Sequence, residues 1–227
     1  MSYFITIIVT IICGCLGAIA LDIDYSKKIP VFYSKNLEAE EKEVRFEKSK
    51  IISIIAVVCF LSAICAFKIV ASVSDPINLC KMLISLIVVV GSACFDYREH
   101  RIPNIFPLIL SLSGIVLLVI GFIVQQNGAM SYVISSSFAA VGCAICLTVA
   151  SALTGQGIGA GDIKLMSALA LVGGVYLICG VLFYSVIICA IVAVILLIFR
   201  KKSLKEAVPF GPFILLGYVI TIFMSIY

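Results

Sequence analysis

Two aspartates in an otherwise very apolar sequence are the residues best suited to chemistry. Asp96 lies in CFDYREHRIPN at residues 94–104, and Asp162 lies in GAGDIKLM at residues 159–166. Two facing carboxylates can activate water for peptide hydrolysis, because the ionised one removes a proton from water while the protonated one donates a hydrogen bond to the scissile carbonyl. The sequence therefore predicts a catalytic pair if the fold brings these two segments together.

The surroundings of the two aspartates differ. Asp162 opens a predicted helix, where the helix dipole and free N–H groups favour a carboxylate anion. Asp96 lies near a helix C-terminus, which disfavours its anion. We therefore predict that Asp162 is the base and Asp96 the acid of the resting pair. Gly159 and Gly161 leave the loop free of bulky side chains, which would let an extended substrate backbone approach Asp162.

The composition indicates the elements that must position these residues. The chain is 63% hydrophobic and 12% charged, and it contains several apolar runs of about 18–25 residues, long enough to cross a bilayer core of about 30 Å. We predict an all-α, polytopic membrane helix bundle of about eight transmembrane helices. The predicted helices are 3–21, 51–72, 79–97, 104–124, 131–153, 162–173, 175–199 and 209–226. The sixth is too short to span the bilayer alone, so we expect a short or partly re-entrant helix.

The basic residues predict the orientation of the bundle. If the loops alternate sides, only Lys68 and Lys81 of the 16 lysines and arginines fall on the minority face. The positive-inside rule makes the other face cytoplasmic. This topology places both Asp96 and Asp162 on the cytoplasmic side and both termini outside. Residues 22–50 form the longest cytoplasmic loop, with the mixed charge typical of a solvated connector.

Three short motifs together resemble the type IV prepilin peptidases, the integral-membrane aspartic proteases of the GxGD group. They are GAGD at 159–162, D-x5-IPN at 96–104 and VPFGPF at 208–213. The resemblance implies Asp96 and Asp162 as the catalytic residues. The residues that it implies for substrate binding or positioning are Gly159, Gly161, Lys164, Pro103, Asn104, Pro209 and Gly211.

The resemblance also implies a reaction and a location. Such enzymes remove a short basic leader from type IV prepilins or pseudopilins at the cytoplasmic face of the bacterial plasma membrane, and they cut after a glycine. We expect no metal and no other cofactor. S-adenosylmethionine would be needed only if a methyltransferase activity were retained. We do not expect that activity, because the larger relatives that carry it often have a zinc site in this loop, and residues 22–50 contain no cysteine to bind zinc. The expected partners are the prepilin substrates and the lipid bilayer, with no nucleic acid.

Two other functions remain open at this stage. A presenilin-like or signal-peptide-peptidase-like protease also uses GxGD, but it carries a PAL motif where this chain has VPFGPF. A carboxylate-relay transporter would also place acids in a membrane, although its acids belong near the midplane rather than at one face.

We divide the chain into an N-terminal two-helix region at 1–78 and a six-helix peptidase core at 79–227. The sequence does not indicate the oligomeric state.

Overall fold

The part of the chain that the structure describes is entirely helical. The structure is a computed structural model, and it describes residues 11–12, 57–58, 60–73, 75–124, 129–154, 158–199 and 209–225. The helices within these ranges are α1 (Phe60–Ser72), α2 (Pro76–Glu99), α3 (Ile105–Val124), α4 (Ala129–Leu153), α5 (Ala160–Ile198) and α6 (Gly211–Ser225). The predicted all-α fold is confirmed for these residues. The loop predicted at 22–50 and nearly all of the helix predicted at 3–21 lie outside them.

Among the residues that the structure describes, four helices are long and apolar enough to cross a membrane. They are Pro76–Tyr97, Ile105–Val124, Met130–Leu153 and Ala160–Ile198. The first three begin and end within a few residues of predicted spans, and the fourth combines the sixth and seventh predicted helices. α1 and α6 are shorter apolar helices. The chain is therefore a multi-pass membrane protein. The count of eight spans, and the division into regions at residue 78, stay predictions.

Helix α3 shows how these apolar helices divide their surfaces between protein and lipid. Four of its five buried residues recur at every fourth position, which aligns them on one helical face. They are Phe106, Leu110, Gly114 and Leu118. The opposite face carries large exposed apolar side chains, including Leu108, Leu112, Val119 and Ile123. An exposed apolar face of this kind suits contact with hydrocarbon, and α3 lies at the periphery of the described helices.

Local sequence fixes both ends of α2. Asp75 caps its N-terminus by accepting the N–H of Ile77 at 3.4 Å, and Pro76 occupies the first turn, where a missing N–H costs nothing. At the other end His100 adopts a left-handed conformation (φ 51°, ψ 31°) and donates its N–H to the carbonyl of Asp96 at 3.0 Å. This stop places Asp96 in the last turn of α2.

Helix α5 is too long to cross a bilayer in one direction. Its 39 residues would extend about 58 Å as a straight helix. The helical path breaks at Gly174, whose φ of 73° and ψ of −172° are not helical. This combination is essentially restricted to glycine. The break separates residues 160–173 from residues 175–198 and coincides with the boundary predicted between the sixth and seventh helices.

Contacts with neighbouring helices show that the chain turns back at Gly174. In the first arm, Gly161 packs on Ile102 just before α3, and Gly114 in the middle of α3 packs on Val172, so this arm runs parallel to α3. In the second arm, Gly180 packs on Thr221 and Gly217 packs on Ser185, so this arm runs antiparallel to α6. Helices α3 and α6 both begin beside Asp96 (see below), so the first arm leads away from the aspartates and the second arm returns. We call the turn at Gly174 the apex of the α5 hairpin.

Close approach of glycine to side chains on adjacent helices holds the bundle together. A Cβ atom on Gly180 would lie 2.6 Å from Cγ2 of Thr221, and one on Gly91 would lie 2.7 Å from the ring of Phe106. Inside the bundle the hydroxyls of Ser85 and Tyr218 lie 2.7 Å apart and join α2 to α6. Small residues and interhelical hydrogen bonds are the usual means by which membrane helices pack, since lipid provides no hydrophobic driving force between them.

Candidate active site

Asp96 is buried at the junction of α2 and α6. Its side chain is 5% exposed, and its Oδ2 accepts the backbone N–H of Gly211 at 2.6 Å. A short bond from an N–H at a helix start to a carboxylate is the strongest kind of backbone capping contact. Because Gly211 is the first residue of α6, this bond brings the start of α6 directly to the aspartate.

Only glycine allows this contact between α2 and α6. A Cβ atom on Gly211 would lie 2.8 Å from Cβ of Asp96 and 3.2 Å from Cα of Ala93. Both distances are shorter than carbon–carbon contacts normally allow. The absence of a side chain at residue 211 is therefore what permits its N–H to reach the carboxylate.

Asp162 occupies the third position of α5. Gly159 stands at the N-cap with no side-chain hydrogen bond to the helix, and the carboxylate of Asp162 bends back toward it. A Cβ atom on Gly159 would lie 2.9 Å from Asp162 Oδ2. The other oxygen, Oδ1, is buried and has no hydrogen-bond partner among the described residues. An unpaired buried carboxylate oxygen is costly, and it points to a role beyond capping.

The two aspartates face one cavity of about 240 Å³. Its lining residues are Asp96, His100, Arg101, Ile102, Gly159, Ala160, Gly161 and Asp162. The carboxylates come from segments far apart in the sequence, yet they interact electrostatically across this space. The structure thus brings together the two residues that the sequence marks as a pair, in a cleft with room for a peptide backbone and water.

The other predicted site residues surround this cleft in different ways. Lys164 Nζ donates a hydrogen bond to Asn104 Oδ1 at 3.0 Å, which ties the start of α5 to the start of α3. Pro103 is half-buried, and its carbonyl accepts the N–H of Phe106 at 3.2 Å as α3 begins. Pro209 is half-buried two residues before α6. None of these four residues lines the cavity itself, which indicates that they support the elements carrying the aspartates.

Sequence reasoning missed Ile102 as part of the site. A Cβ atom on Gly161 would lie 3.0 Å from Cβ of Ile102 and 3.2 Å from its carbonyl oxygen. Ile102 is 9% exposed and forms the floor on which the first turn of α5 rests. Its place directly before Pro103 and Asn104 in the IPN motif was the available signal. His100 and Arg101 also line the cavity, although the motif comparison assigned them no role.

Comparison with known proteins agrees with this site. The sequence pattern described as the type IV leader peptidase family matches residues 80–194, half of the chain. The matched segment contains both aspartates and every residue that lines the cavity. Searches of curated proteins and of solved structures give no match. The chain belongs to the type IV leader peptidase family, whose members are proteases, and its apolar helices embed it in a membrane.

Proposed function

We propose that this protein is an aspartic endopeptidase that removes the basic leader from type IV prepilins or pseudopilins, cutting after a glycine at the cytoplasmic face of the bacterial plasma membrane. The observation that carries the proposal is the cavity of about 240 Å³ faced by Asp96 and Asp162. Family membership supports the substrate class. The pair supplies a base and an acid for water-mediated hydrolysis, so the reaction as proposed uses no metal or other cofactor.

The hydrogen bonds around the pair favour Asp96 as the base, which reverses the assignment made from helix position. Asp96 Oδ2 accepts the N–H of Gly211 at 2.6 Å, and a hydrogen bond to a charged group contributes about 1.5–3 kcal/mol. Asp162 also accepts a backbone hydrogen bond, from Gly159, but its Oδ1 is buried without a partner among the described residues, and the helix dipole that favours its anion is worth about 0.3–1 kcal/mol. The short bond to Asp96 and the unpaired oxygen of Asp162 together favour the anion of Asp96. We infer that the resting proton belongs to Asp162.

The proposed reaction follows from this arrangement. Asp96 removes a proton from a water molecule, and the oxygen of that water forms a bond to the scissile carbonyl carbon. The protonated carboxyl of Asp162 donates its hydrogen to the carbonyl oxygen, which becomes a hydroxyl of the tetrahedral intermediate. Asp96 then transfers its proton to the amide nitrogen, the C–N bond breaks, and Asp162 recovers a proton from the intermediate as the new carboxyl group forms.

The lining of the cleft suits a substrate with glycine at the cut. Gly159, Ala160 and Gly161 form the wall on the Asp162 side, so an extended backbone can lie against it without meeting large side chains. A bulky residue before the scissile bond would compete for the same space. This fit supports cleavage after glycine.

The position of the pair supports a cytoplasmic active site. The C-terminus of α2 and the N-termini of α3, α5 and α6 all lie at the end of the bundle that holds Asp96 and Asp162. The basic residues favour the cytoplasm for this end. Helix α6 leads away from it, in keeping with a C-terminus on the opposite side. A transporter relay would place the two acids near the membrane midplane, and here they lie at one end.

Co-expression with a prepilin tests the proposal. The full-length protein is produced with a prepilin whose leader ends in glycine, and the substrate's N-terminus is determined by mass spectrometry. We expect cleavage directly after the glycine and no added methyl group. A substrate that keeps its leader would contradict the proposed peptidase activity. A methylated product would refute the expectation that the chain lacks methyltransferase activity.

A further inference from the structure

The apex of the α5 hairpin exposes a backbone carbonyl that a neighbouring helix binds. The break at Gly174 interrupts the regular helical hydrogen bonds of α5. Tyr132 of α4 donates its hydroxyl to the carbonyl of Val172 at 2.9 Å. Inside a membrane a freed carbonyl needs such a partner, because no bulk water can replace it. Tyr132 therefore fastens the first arm of α5 to α4 at the end of the bundle opposite the aspartates.

A buried lysine holds Tyr132 in turn. The ammonium nitrogen of Lys81 on α2 lies 4.0 Å from the centre of the Tyr132 ring, and the lysine is only 6% exposed. A cation in this position over a desolvated aromatic face stabilises the ring's orientation. Lys81 also interacts with Asp75, the residue that caps α2. A charged side chain inside a membrane is costly and usually serves a function.

The hydrogen bond at the apex lies on the helical arm that carries Asp162. That arm is also held by Ile102 and Asn104 beside the cleft and by Gly114 below the apex. Ten residues separate Asp162 from Val172, or about 15 Å along the helix axis. If this arm tilted by about 5° around one of these two residues, the other residue would therefore move by about 1.3 Å. A misplacement of about 1 Å can lower the rate about 100-fold when two groups must act together on a substrate and its attacking water.

We propose that Tyr132, oriented by Lys81, is a positioning residue for Asp162: it fixes the apex of the α5 hairpin and thereby the place of the carboxylate opposite Asp96. The inference rests on the proposed peptidase function. Neither side chain touches the cleft, so their effect on the reaction passes through the first arm of α5. The far end of the bundle thus contributes to the geometry of the catalytic pair.

Paired tyrosine and lysine variants test this inference with the full-length enzyme and a prepilin substrate. Tyr132→Phe keeps the ring and removes only the hydroxyl. Its matched control is Tyr176→Phe, since Tyr176 lies just beyond the apex and is 91% exposed. Lys81→Met removes the charge next to the Tyr132 ring. Its matched control is Lys68→Met, because the ammonium nitrogen of Lys68 lies 5.8 Å from the centre of the Phe223 ring on α6.

The expected result is a split between turnover and binding. Tyr132→Phe should lower kcat about tenfold or more while KM stays within about twofold, because a misplacement of about 1 Å acts on the reacting groups and not on substrate affinity. The thermal midpoint of the purified protein should fall modestly, because the carbonyl of Val172 loses its partner. Lys81→Met should act in the same direction. Lys81→Arg should restore most of the activity, since a guanidinium also stacks on an aromatic face. Both control variants should retain wild-type kcat.

Each other outcome refutes a definite part of the account. If the wild-type enzyme cleaves the leader and Tyr132→Phe has the same kcat as Tyr176→Phe, the positioning role is refuted while the proposed function stands. The same holds if Tyr132→Phe changes only KM, or if Lys81→Arg is as impaired as Lys81→Met. If the wild-type enzyme does not cleave a prepilin, the proposed function itself is refuted, and the inference with it.

Discussion

Replacement of Gly211 by alanine should uncouple α6 from the catalytic pair. The new Cβ would lie 2.8 Å from Cβ of Asp96 and 3.0 Å from its Oδ2. Contacts that short do not persist, so the start of α6 must move away from Asp96. That movement lengthens or breaks the 2.6 Å hydrogen bond from the N–H of Gly211. Asp96 then loses the group that stabilises it as an anion.

The size of the effect follows from the strength of that bond. A hydrogen bond to a charged group is worth about 1.5–3 kcal/mol, and each factor of ten in rate corresponds to about 1.4 kcal/mol. We therefore expect Gly211→Ala to lower kcat for leader cleavage about 10- to 100-fold. Alanine favours helix more than glycine does, so the loss is not one of helix propensity.

The assay is steady-state cleavage of a purified prepilin in detergent or liposomes, with the thermal midpoint measured on the same samples. The matched control is Gly142→Ala in α4, where an added Cβ would meet nothing within 4 Å. The control should keep wild-type kcat. If Gly211→Ala also keeps wild-type kcat, the hydrogen bond from α6 does not sustain the base, and our assignment of Asp96 to that role is wrong.

Three further substitutions have expected outcomes. Gly161→Ala should lower the kcat of prepilin cleavage about tenfold. The new Cβ would lie 3.0 Å from Cβ of Ile102 and would displace the first turn of α5. An unchanged kcat would mean that this contact does not position Asp162. Gly174→Ala should reduce the free energy of unfolding by about 1–3 kcal/mol, because alanine is strained at the φ of 73° that this residue adopts. An unchanged thermal midpoint would contradict the break at the apex. Tyr218→Phe should cost about 1–2 kcal/mol in a detergent melt, because the lost hydroxyl contacts both Ser85 and the carbonyl of Met82, which keep each other as partners. A cost of several kcal/mol would refute this.

The sequence was sufficient for the features that depend on residue type and local spacing. Long apolar runs predict membrane helices because a backbone in hydrocarbon must satisfy its own hydrogen bonds. The observed ends of α3 and α4 lie within two residues of the predicted ones. The boundary predicted after residue 173 coincides with the break at Gly174 because two adjacent glycines interrupt an apolar run. Asp96 and Asp162 were identifiable since carboxylates are rare and costly in such a chain.

The contacts that arrange the site depend on tertiary packing and had no local signal. Gly211 was expected to position substrate, but the structure places its N–H on Asp96, a contact between residues more than a hundred positions apart. Helix position favoured the anion of Asp162, and only the folded chain shows that one of its oxygens is buried without a partner. Tyr132 and Lys81 lie in ordinary apolar sequence. Their pairing exists because the long side chains of Lys81 and Tyr132 reach each other from two helices that are far apart in the sequence.

The most direct test of the account is leader cleavage by the isosteric variants Asp96→Asn and Asp162→Asn. Each variant keeps the size of the side chain but removes its ability to exchange a proton. The rate of prepilin cleavage is measured for the wild-type enzyme and for both variants at matched protein concentration and thermal midpoint. We predict that each single variant loses about 1000-fold or more in kcat, as expected when a general acid or base is removed. Wild-type turnover by either variant would contradict a catalytic pair formed by Asp96 and Asp162.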